Sequence, residues 1–115
     1  MIPFEIGNIA RIKHDYGYEK VIITRDNIES KEISGMPILI ESLENDLGFV
    51  STRFSDGIEV MKDIGPFIIK YRTPDSTSRF NFVIYDSLGV IAEFKVDYIH
   101  QLQNIFKTLT GLCLG

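Results

Sequence analysis

Lys70, Arg72, Arg79, Asn81, Tyr85 and Lys95 are the residues whose types and spacing could do chemistry together in this 115-residue chain. In extended segments successive side chains point to opposite faces, so residues two apart share one. The six then form a basic strip broken by an amide and a phenol ring. Cations meet phosphates and a ring stacks on a base, which is the composition of a platform for single-stranded nucleic acid. Arg72 and Arg79 come out directly opposite each other in the expected hairpin and repel there. An anion held between them would turn the repulsion into a clamp. The competing reading is an ordinary solvated sheet face, with Asp75, Glu93 and Asp97 near enough in sequence to offset the cations.

No other group of residues carries a reaction. The two histidines, His14 and His100, stand apart, and His14-Asp15 is an adjacent pair whose side chains diverge on a strand. His100, close to a helix start, reads as solvent-facing. Glu41, Glu44, Asp46 and Asp15 read as solvated charges at turns. Cys113 has no obvious activating cation beside it and reads as a packing or fraying residue. The chain contains no C-x-x-C, H-E-x-x-H, EF-hand, P-loop or dinucleotide glycine pattern. The expectation is a non-enzymatic protein with no cofactor and no metal.

The elements that must position the strip follow from composition and rhythm. The chain has 18 Ile and 6 Val against 2 Ala, a balance that favours pleated, half-buried surfaces over helix. Strand-like stretches separated by turn residues fall at Phe4–Lys13, Tyr18–Arg25, Met36–Leu43, Gly48–Phe54, Ile58–Asp63, Phe67–Arg72, Arg79–Tyr85 and Val90–Val96. Asn27–Ile33 reads as a helical turn or an ordered loop. The end of the chain changes period: Ile99, Leu102, Ile105, Phe106 and Leu109 recur at helical spacing. Asp97 is the expected N-cap and Gly111 the left-handed terminator, so a C-terminal helix spans Asp97–Thr110.

Requiring apolar residues to share a face sets two hairpin registers. In the first, Tyr71 lies opposite Phe80, Ile69 opposite Phe82 and Phe67 opposite Ile84. In the second, a Ser87-Leu88-Gly89 loop with a bulge at Gly89 pairs Phe82 with Phe94 and Ile84 with Ala92. The helix that follows has an apolar stripe, and the aromatic face of these strands is its nearest cover. The expected fold is mainly β: a curved antiparallel sheet or partly open barrel of seven or eight strands, with one C-terminal α-helix. A curled sheet capped by such a helix resembles the pleckstrin-homology-like domains, most closely over Arg79–Thr110. That family usually carries a tryptophan in its last helix, where this chain offers Phe106. Sheets followed by a helix also occur in the small single-strand-binding coactivator fold.

Length, 44% hydrophobic and 24% charged residues fit one globular domain over residues 1–115. The net charge of −4 puts non-specific nucleic-acid binding at a disadvantage. No apolar run reaches the ~20 residues of a membrane span. No signal-peptide pattern opens the sequence, and a lone cysteine suits a reducing compartment, so the expected location is cytoplasmic. The function expected from these readings is a small binding module acting through protein–protein contacts, homodimer formation included. The alternative is single-stranded nucleic-acid or other polyanion binding on the basic strand face.

Overall fold

A computed structural model describes residues 4–55, 57–74 and 81–114, the side chains of 72–74 and 81 excepted. The elements in order are β1 (Ile9–His14), β2 (Gly17–Ile22), β3 (Ile33–Gly35), α1 (Ile40–Leu47), β4 (Val50–Phe54), β5 (Gly57–Ile64), β6 (Phe67–Pro74), β7 (Asn81–Asp86), β8 (Gly89–Lys95) and α2 (Ile99–Thr110). The strands form two antiparallel sheets, β2-β1-β3 and β4-β5-β6-β7-β8, with no closed barrel. The mainly β architecture with a C-terminal helix is therefore as the sequence implies. Two sheets stand where one curved sheet or a partly open barrel was expected.

The five-stranded sheet turns one apolar face inward. Val60, Ile69, Tyr71, Phe82 and Ile84 are buried there, beneath Ile99, Leu102 and Phe106 of α2 and Leu43 and Leu47 of α1. Both faces of β1 are used. Ile9 joins this main core, whereas Ala10 packs with Ile23 and Ile33 in a second cluster. That is why the apolar residues of the first hairpin do not sort onto one side.

Three local expectations are corrected. The Met36–Leu43 segment is not a strand: only Pro37 makes a bridge, to Tyr98, and the chain then enters α1. Ile40, Leu43 and Leu47 fall at helical spacing, and Gly48 closes the helix in the left-handed region at φ 74°. Burial of both leucines outweighs the strand preference of Met36–Ile40. At α2 the cap is Tyr98 rather than Asp97. The Gln101 side chain reaches back and accepts from the backbone N–H groups of Asp97 and Tyr98, at 3.1 and 3.2 Å. Gly111 ends the helix as expected, with φ 76° and its N–H on the Lys107 carbonyl at 2.8 Å.

The third correction concerns register. Tyr71 pairs with Phe82 and Ile69 with Ile84, two residues from the expected alignment. A slip of two leaves every side chain on its own face, so the apolar pattern alone does not separate the two registers. In the register adopted, Phe82 lies 5.2 Å from Tyr71 and 5.8 Å from Phe94 between ring centroids. Lys70 accordingly meets Val83, not Asn81, and the expected Arg72–Arg79 pairing belongs to the other register. Arg79, Phe80 and the loop at 75–78 lie outside the described residues. Across β7 and β8 the expected Phe82–Phe94 and Ile84–Ala92 pairs are present, but Asp86 pairs with Gly89 and the irregularity falls between Ile84 and Tyr85.

Polar groups tie the termini to this frame. The Gln103 carbonyl oxygen accepts from the Ile9 N–H at 2.8 Å, and the Asn8 amide donates to Asn104 at 2.8 Å. Lys62 sits at a core-face position of β5 and donates to the last carbonyl of α1, Leu47, and to the Leu114 carbonyl at 2.8 Å. Burial pushes its pKa below the usual lysine value. Gln103→Leu keeps the volume but removes the acceptor for a buried N–H. An expected loss of about 1–3 kcal/mol in urea unfolding checks it. Lys62→Met is expected to loosen the C-terminal tail, read as faster limited proteolysis after residue 110 with the melting transition lowered.

Candidate binding surface

Alternation places a second set of side chains on the outward face of the five-stranded sheet. Opposite the buried Val60, Ile69, Phe82 and Ile84 run Glu59, Met61 and Asp63 on β5, Ile68 and Lys70 on β6, Val83 and Tyr85 on β7, and Glu93 and Lys95 on β8. Edge strand β4 adds Val50, Thr52 and Phe54, since Val50 pairs with Met61 and Thr52 with Glu59. No helix of the described residues covers this side with buried apolar side chains: α1 and α2 contribute theirs to the inner core.

The expected strip is partly assembled. Lys70, Tyr85 and Lys95 share the outward face. Asn81 pairs with Lys95 along the backbone, while the Arg72 and Asn81 side chains and all of Arg79 lie outside the described residues. Lys70 is not a cation waiting for a phosphate. Its ammonium is 3.6 Å from the Glu59 carboxylate and 5.5 Å from the Tyr85 ring centroid. Tyr85 chiefly, with Glu59 adding, holds its pKa above the usual lysine value against the opposing effect of burial. The strip drawn from three strands omitted β5, which brings Glu59 and Asp63 to the same face.

Elsewhere the structure rearranges the remaining candidates. His100 is buried rather than solvent-facing, its ring 4.3 Å from Phe4 and 5.9 Å from Tyr98 between centroids. His14 meets Glu19 at 3.2 Å and stacks on Tyr16. Asp46 pairs with Lys20 at 2.9 Å, and Glu44 accepts from the Ser51 hydroxyl at 3.1 Å. Cys113 is exposed. Among the described residues no group of three or more His, Cys, Asp or Glu side chains could hold a metal ion, and no helix is long and apolar enough to cross a membrane.

The strand expected at Gly48–Phe54 is present as β4, but sequence reasoning missed that it is a sheet edge with an exposed apolar face. The signal was present in Val50-Ser-Thr-Arg-Phe54, an alternation that puts Val50 and Phe54 on one side with Arg53 as its lone charge. They are 68% and 46% exposed. Comparison with protein-family models, with curated proteins and with solved structures finds no match to this chain.

Proposed function

We propose that this chain is a small non-enzymatic binding module, working in the cytoplasm through protein–protein contacts on the outward face and edge of its five-stranded sheet. A second copy of the chain is among its partners. The observation that supports this reading is the make-up of that face: Val50, Phe54, Met61, Ile68 and Val83 lie among a few charges, of which Lys70 and Glu59 already satisfy each other. Apolar side chains interspersed with polar ones characterise protein interfaces, whereas polyanion sites need a surplus of cations. Among the described side chains this face sets Glu59, Asp63 and Glu93 against Lys70 and Lys95.

A photocrosslinking amino acid at Val83, introduced in the native host, is expected to give discrete protein adducts that the same group at Asp26 does not. Equal, diffuse labelling from both positions refutes the reading. Labelled single-stranded DNA and RNA are expected to show no saturable binding up to high micromolar concentrations at low salt. Binding that falls steeply with salt and disappears in Lys70→Glu/Lys95→Glu would put the polyanion alternative first.

A further inference from the structure

We infer that two copies of this chain pair antiparallel through β4 about a two-fold axis, joining their five-stranded sheets into one. This rests on the binding-module reading and names the partner. A free sheet edge invites another strand, and proteins usually blunt it with charge, brevity or a bulge. The other edges here are blunted in those ways. β2 and β8 also show apolar side chains, Tyr18 and Ile22 on one and Val90 and Ile91 on the other. But β2 carries Glu19 and Lys20 and β8 carries Glu93 and Lys95 beside an irregular step, while β3 is three residues long. β4 is an edge strand whose lone charge is Arg53 and which shows Val50 and Phe54 to solvent.

The strand is complementary to itself in one register. A two-fold axis perpendicular to the sheet sets residues of the same face opposite each other. With Thr52 on the axis, Val50 lies opposite the second copy's Phe54, twice, on the outward side. On the inward side Ser51 lies opposite the second copy's Arg53. The Ser51 hydroxyl donates to Glu44 of α1 at 3.1 Å, so the incoming guanidinium arrives beside a carboxylate. The symmetry makes that ion pair twice. Sliding by two residues one way sets Arg53 against Arg53, and the other way leaves Phe54 without an opposite. Pairing also stops at two copies, because the outer edges of the joined sheet are the blunted β8 strands.

The test uses the full chain with Cys113→Ser. Thr52→Cys puts two thiols on the axis, with Cα atoms about 4.5–5.5 Å apart, inside disulfide range. Ser51→Cys places them about 8 Å apart, beyond it, given a rise of about 3.4 Å per residue. Mild oxidation is expected to cross-link Thr52→Cys and leave Ser51→Cys without a cross-link. In sedimentation equilibrium, Arg53→Glu is expected to weaken the dimer roughly tenfold or more, and Arg53→Glu/Glu44→Arg to restore most of it. A monomer at every concentration, a dimer indifferent to Arg53→Glu, or equal cross-linking at both positions overturns the pairing. If specific photocrosslinks from Val83 persist in that case, the pairing alone fails; if they vanish too, the binding-module reading fails with it.

Discussion

Phe82→Ala is expected to remove about 3–5 kcal/mol of stability, the usual range for deleting a buried ring. Phe82 has no exposed surface and lies between the Tyr71 and Phe94 rings at 5.2 and 5.8 Å. It sits on β7, between β6 and β8, and shares its core with the buried stripe of α2, so neighbours on three sides hold the cavity open. Domains of this size have about 5–15 kcal/mol in all. The variant should therefore unfold partly at 37 °C and show a large drop in the urea midpoint at 25 °C. Phe82→Leu, which refills much of the space, should cost clearly less. A change below about 1 kcal/mol for the alanine variant would contradict the packing described here. Ending the chain at Val96 strips Leu102 and Phe106 from the same core and should leave an aggregating, unfolded product.

Gly35→Ala is the second large effect, and its cause is steric. Gly35 does not have a positive φ, so its backbone accepts alanine. An added Cβ, however, would stand 2.7 Å from two carbons of the Tyr98 ring and 3.1 Å from His100 Cε1. The contact lies where the end of β3 meets the start of α2. Here the Ile38 N–H donates to the Asp97 carbonyl at 3.1 Å and the Ile99 N–H to the Met36 carbonyl at 2.9 Å. Movement of Tyr98 would displace the N-cap of α2 along with this seam. Overpacking of this kind costs about 1–3 kcal/mol. A double-mutant cycle checks the mechanism: with Tyr98→Ala in place, the added methyl group has room and its penalty should largely disappear. Strictly additive effects would show that the ring is not what excludes a side chain at position 35.

The candidate surface was half legible. Period-2 alternation set Ile68, Lys70, Val83, Tyr85, Glu93 and Lys95 on one face, where the structure has them, because a strand's faces survive any even slip in register. It did not reveal that Glu59 stands beside Lys70. That neighbour comes from β5, and cross-strand contacts depend on absolute register. The β4 edge was visible as a segment but not as a surface, since whether a strand is central or terminal is decided by which partners close on it. His100 illustrates the same limit from the other side. Its place in the first turn of a helix suggested solvent, yet α2 enters against Phe4 and Gly35, and the ring is enclosed.

The sequence by itself determined the class of fold, most strand positions, the C-terminal helix with its Gly111 stop, and the aromatic inner face. These follow from interactions between residues near one another in the chain: side-chain branching, alternation, helical spacing and the left-handed tolerance of glycine. The tertiary structure alone decided that Met36–Leu43 yields to α1 and that the strands divide into sheets of three and five. It also decided that β6 and β7 pair two residues from the expected register. Each of those outcomes turns on burial against residues distant in sequence, such as Leu43 and Leu47 beneath the sheet or Tyr98 over Gly35. Local pattern has no access to such contacts, because alternatives that satisfy the same pattern differ in energy only once the distant partner is in place.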